Sequence, residues 1–90
     1  MFRMWCKIFK DNHLVTDCVI KYDDDRTRTK IIFSALEECC YKFNIGVPIW
    51  LESNVRDFKQ FDKVRFYQDN FIENIDFDYL EIHVIEEKTT

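Results

Sequence analysis

Ninety residues make one domain with a modest core of its own and are too few for two. With one glycine and one proline the chain has little material for long irregular loops and none for a Gly-rich phosphate cradle. The net charge of −4 disfavours indiscriminate nucleic-acid coating. That charge is uneven: residues 1–45 hold eight Lys/Arg and seven Asp/Glu, residues 46–90 five and ten.

Residues 2–10 and 14–22 alternate with period two around the polar "DNH", which predicts a β-hairpin. With Asp11–His13 as the loop, Met4 faces Ile20, Cys6 faces Cys18, Lys7 faces Asp17, Trp5 faces Val19 and Phe9 faces Val15. "DDDRTRTK" then leads into a helix over 28–43, with Asp25 or Thr27 as N-cap. Ile32, Leu36, Cys39 and Phe43 form its apolar stripe, and Asn44 suits the left-handed stop.

"VPIWL" (47–51) reads as a short strand whose proline places it at an edge or a strand start. "ESNVRDFKQF" suggests a short helix capped by Ser53, and "KVRFYQ" (63–68) a further strand. "DNFIEN" suggests one helical turn begun by Asp69, and "FDYLEIHVIEE" (77–87) the last strand. The expected fold is α+β: a mixed, mostly antiparallel sheet of 4–5 strands with one long helix, order ββαβ(α)ββ. Residues 1–87 form the single domain and 88–90 a frayed tail.

A helix about 10–12 Å across cannot cover a sheet of five strands, roughly 19–24 Å wide. The hairpin's second face still offers Trp5, Phe9, Val15 and Val19, and exposed apolar clusters of this kind mark interfaces. These four and Trp50 are the interface candidates, although Trp50 has a strong claim to the core. A non-enzymatic interaction module follows, partnered by a second copy or a larger protein.

The remaining candidates weigh less. Cys6, Cys18, Cys39 and Cys40 lack the C-x(2–4)-C spacing of a zinc knuckle, and His13 and His83 match no ligand motif, so core packing is the expectation and no metal or other cofactor is implied. A Cys6–Cys18 bridge across the hairpin is geometrically open but suits an oxidising compartment. Asp23, Asp24 and Asp25 could gather Mg²⁺, yet three acids before a helix more often compensate its dipole. No catalytic constellation or small-molecule substrate is recognisable.

Arg56, Lys59, Lys63, Arg65 and Tyr67 interleave bases with an aromatic and form the nucleic-acid alternative, set back by the run of seven acids from Asp69 to Glu87. No cleaved leader is expected from "MFRMWCKIFK", and no membrane partner from any apolar run. "MWCKIFKDN", "TRTKIIFSALE", "PIWLESN" and "RFYQDNFIENIDFDYLEIHVIEE" together resemble a group of uncharacterised short proteins from low-GC Gram-positive bacteria. That resemblance spans nearly the whole chain. It implies a bacterial cytoplasmic protein of one domain and transfers no site residues.

Overall fold

The computed structural model describes residues 1–87; the expected tail at 88–90 lies outside the described residues. Two long strands open the chain, β1 (Phe2–Lys10) and β2 (His13–Tyr22), followed by two helices, α1 (Arg28–Phe43) and α2 (Glu52–Phe61). The short β3 (Lys63–Phe66) and the longer β4 (Tyr79–Glu86) complete a four-stranded sheet of order β2-β1-β4-β3, antiparallel throughout. The α+β class stands. The order ββαβ(α)ββ does not, because 47–51 is not a strand and α2 is a full second helix.

The hairpin follows the expected pairing from Phe2 to Ile8, including Cys6 opposite Cys18. Its loop is shorter than expected. Asp11 and Asn12 both take positive φ (53° and 65°), so two residues turn the chain and His13 already pairs with Lys10. The register shift between Ile8 and Phe9 pairs Phe9 with Leu14 and bulges Val15 out of the ladder. Val15 therefore leaves the Trp5 side and lines a crevice with Ile8, Thr16, Phe43 and Phe77.

Helix α1 begins where Thr27 Oγ1 accepts the Lys30 amide at 3.4 Å and ends at Asn44, whose φ of 58° closes the last turn. Its stripe of Ile31, Ile32, Ala35, Leu36, Cys39 and Cys40 is buried against the hairpin face that carries Phe2, Met4, Cys6 and Ile8. Helix α2 packs on β3 and contributes Phe58 to the same core. Phe71 and the half-buried Phe77 meet edge-on at 5.7 Å and extend the cover. Two helices and this last segment thus seal one side of the sheet.

The "VPIWL" stretch runs extended through the helical layer without a strand neighbour. Pro48 has no amide to donate, and one backbone bond, from the Ile49 amide to the Asn70 carbonyl (2.7 Å), ties the stretch to the chain beyond β3. Side-chain amides supply the rest. Asn70 Nδ2 donates to the Ile49 carbonyl at 2.8 Å and to Asn54 Oδ1 at 2.7 Å, while Asn70 Oδ1 accepts the Tyr67 amide at 2.9 Å. Asn54 Oδ1 accepts the Leu51 amide at 2.8 Å, which makes Leu51 rather than Ser53 the N-cap of α2. Asp69 sits inside a 3-10 turn, Gln68–Asn70, that orients Asn70.

Both asparagines are buried, so loss of either leaves backbone groups unpaired away from water. Asn70→Ala is expected to cost about 1–3 kcal/mol in urea denaturation. Ile72→Ser, at a side chain 89% exposed, should change stability by less than about 0.5 kcal/mol. Equal costs would remove the amide pair as the anchor of the 47–51 segment.

Candidate functional site

Among the described residues no helix lies over the sheet's second face. Strand pairing arranges its side chains in four rows that cross the strands. Lys21, Arg3 and Glu86 form the first, and Val19, Trp5, His83 and Lys63 the second. Asp17, Lys7, Glu81 and Arg65 form the third. Leu14, Phe9 and Tyr79 form the fourth, extended by Tyr67 just past β3.

The third row alternates in charge and holds the face together. Glu81 is only 4% exposed although no described segment covers the sheet here. Its Oε2 meets Lys7 Nζ at 2.7 Å and its Oε1 meets Arg65 Nε at 3.0 Å. Burial works against the charged carboxylate, but the hydrogen bonds from Lys7 and Arg65 outweigh it, and the Glu81 pKa lies below the ordinary glutamate value.

The aromatic rings grow out of this ionic row. Lys7 Nζ lies 3.9 Å from the Trp5 ring centre, and the Trp5 indole donates to Asp17 Oδ2 at 2.8 Å. The Arg65 guanidinium lies 4.7 Å from the Tyr79 ring. Phe9 stacks on Tyr79 at 5.0 Å, and Tyr67 tilts against Tyr79 at 5.4 Å. Trp5, Phe9 and Tyr79 are half-buried by these contacts, whereas Tyr67 is half exposed.

Charge on this face runs opposite to charge on the chain. Five cations (Arg3, Lys7, Lys21, Lys63, Arg65) stand among three carboxylates (Asp17, Glu81, Glu86), on a protein of net charge −4. Of the seven acids between Asp69 and Glu87, two reach the face. Both are ion-paired, Glu81 as above and Glu86 with Arg3 at 2.6 Å. Among the described residues Lys21 and Lys63 make no ion pair, and both are exposed.

Of the interface candidates, Trp5, Phe9 and Val19 share the open face, and Val15 does not. Trp50 belongs to the helical side, where its ring meets Phe33, Phe58 and Phe66 edge-on at 6.0, 5.5 and 5.1 Å. There it borders a groove of about 180 Å³ between α1 and α2, lined also by Ile32, Val55 and Lys59. The nucleic-acid set divides as well: Lys63, Arg65 and Tyr67 lie on or beside the open face, Arg56 and Lys59 on α2. Tyr79, Glu81 and Lys7 are the partners that sequence reasoning missed. The signal was present in the alternation of "DYLEIHV", where Tyr79, Glu81 and His83 share one side.

The other candidate sites are occupied by structure. Asp24 is held by Arg26, with Oδ2 at 2.8 Å from Nη2, and the hydrogen bonds from Arg26 lower its pKa. Cys6, Cys39 and Cys40 are core residues and Cys18 is half-buried. The Cys39 thiol donates to the Leu36 carbonyl at 3.3 Å. Burial raises the Cys18 pKa; the Cys39 hydrogen bond and burial raise that of Cys40. Cys39 is raised too: its hydrogen bond with Cys40 lowers it, but those of Cys6 and burial prevail. Among the described residues no group of three or more His, Cys, Asp or Glu is placed to hold a metal ion, and no helix is long and apolar enough to cross a membrane.

No protein-family model matches the chain, and neither does any curated protein or solved structure. The face must be read from its own chemistry.

Two outcomes follow. Because the folded pKa of Glu81 is depressed, its contribution is complete above the ordinary carboxylate range and is lost as pH falls through the lowered value. Glu81→Gln should cost about 2 kcal/mol at neutral pH and leave a shallower acid limb in a pH series of urea melts; an unchanged limb would discount the ionic row. In the native protein iodoacetamide should reach Cys18 first, and Cys6, Cys39 and Cys40 only on unfolding, as peptide mass spectrometry would show.

Proposed function

We propose that this chain is a non-enzymatic bacterial cytoplasmic binding module whose working surface is the open face of the sheet. One observation carries the reading: four aromatic rings, Trp5, Phe9, Tyr67 and Tyr79, lie interleaved with cations on a side that no described segment covers. Large rings beside charged groups provide contact area together with orientation. A second copy laid face to face would set cations against cations, which weighs against that form of homodimer.

A different form of self-association has its own support. Among the described residues no strand lies beside the outer edge of the ten-residue β2, and Leu14, Val15 and Val19 are exposed along it. Two such edges pairing about a two-fold axis would give a homodimer with one continuous sheet. Light scattering over a concentration series should then report a dimer. A mass fixed at the 11.1 kDa of one chain at every concentration would remove that reading.

The open face has its own test. Val19→Glu with Tyr67→Ala alters two exposed side chains and should leave the fold intact. Used as bait in cell extract, this variant should lose whatever macromolecule the wild type retains, while Phe33→Ala with Val55→Ala in the α1–α2 groove should retain it. The reverse pattern would move the working surface to the helical side.

A further inference from the structure

We infer that the open face takes single-stranded nucleic acid, bound without strong sequence preference. The inference rests on the open face being the working surface and names its occupant. Three features point the same way. The face has the charge to attract a polyanion, although the whole chain does not, because the acids that make the protein negative lie mostly elsewhere. Within the face the charges are arranged by position. Asp17, Lys7, Glu81 and Arg65 neutralise one another in the middle, and Glu86 neutralises Arg3, which leaves Lys21 on one edge strand and Lys63 on the other.

The rings occupy the rows to either side of the ionic row. Trp5 lies on one side, and Phe9, Tyr79 and Tyr67 on the other, about 13 Å apart along the strand at roughly 3.3 Å per residue. A chain of alternating planar bases and phosphates can meet both features at once. Bases stack on exposed aromatic surface such as Tyr67, and phosphates meet the unpaired ammonium groups at the margins. A four-stranded sheet whose aromatics face outward can stack two or three bases of a single strand. A duplex offers no free base faces to a flat sheet, and an acidic polypeptide has no planar group to repeat. Neutralisation of Glu81 by Lys7 and Arg65 is what makes the centre tolerable to an anion.

The measurement is fluorescence anisotropy of labelled oligo(dT) and oligo(U) with the wild-type protein. Binding is expected to weaken roughly sevenfold between about 50 and 200 mM salt, as for two phosphate contacts, at Lys21 and Lys63, on a single strand. Lys63→Glu with Tyr67→Ala should weaken binding about tenfold or more, a lost ring and a lost phosphate contact together. Arg56→Glu with Lys59→Glu, on α2, should stay within about twofold of wild type. Absence of wild-type binding at low salt overturns the inference, as does equal competition by polyglutamate, which would mean charge without stacking. If the oligonucleotides do not bind but the bait experiment still loses its partner with the face variant, the occupant is wrong and the working surface stands. Loss of oligonucleotide binding in the α2 variant alone overturns both.

Discussion

A carboxylate buried on an uncovered sheet face is the constraint from which the rest of this surface follows. Glu81 sits in β4 between two flanking strands, and a cation reaches it from each, Lys7 from β1 and Arg65 from β3. For stability alone the arrangement offers little, because well-packed apolar groups of similar volume commonly serve as well as a buried ion pair. Its gain is positional. β3 has only four residues, and a slip of one would turn Val64 and Phe66 out of the core and Arg65 into it. An ion pair from Arg65 to the neighbouring strand holds that short edge in register. It also keeps the face from being simply apolar.

The same sheet divides the aromatic residues between two tasks. Phe58, Phe66 and Phe71 are buried on the covered side, with Trp50 and Phe77 packed against them. This side is filled without a fifth strand because the two buried asparagines hold residues 47–51 in the helical layer. Trp5, Phe9, Tyr67 and Tyr79 remain on the other side, where Lys7 lies over Trp5, Arg65 over Tyr79, and Phe9 and Tyr67 pack on Tyr79. The excess of large rings over what one long helix can hide is therefore met twice, by a second helix and by a ring-and-cation layer.

Local patterns were the legible part of the fold. The hairpin's pairing from Phe2 to Ile8 follows the alternation, and the bounds of α1 coincide with its capping residues and its stripe. The failures have two causes, bonding between residues distant in sequence and turn geometry that alternation does not show. "VPIWL" has the composition of a strand, but what decides its state is Asn70, 21 positions after Ile49. Val15 fits the alternation, and the two-residue turn overrides it. On the candidate face, Trp5, Phe9, Val19, Lys63, Arg65 and Tyr67 were each visible as residues. Their assembly was not, since it depends on β4 lying between β1 and β3, an order that no window of sequence displays.

Charge shows the same limit. Counted by halves of the chain, the acidic second half argues against an anionic partner. Counted by faces it does not, because five of the seven acids between Asp69 and Glu87 lie outside the strands. Asp76 and Asp78 lie before β4, where Asp78 accepts the Asp11 amide and closes the hairpin end, while Glu87 is held by Arg28 at 2.7 Å. Screening in physiological salt limits exposed charges to about 8 Å, so a ligand on the sheet senses the near face far more than the net charge. What it meets there is a neutralised centre flanked by rings, with a free ammonium on each margin.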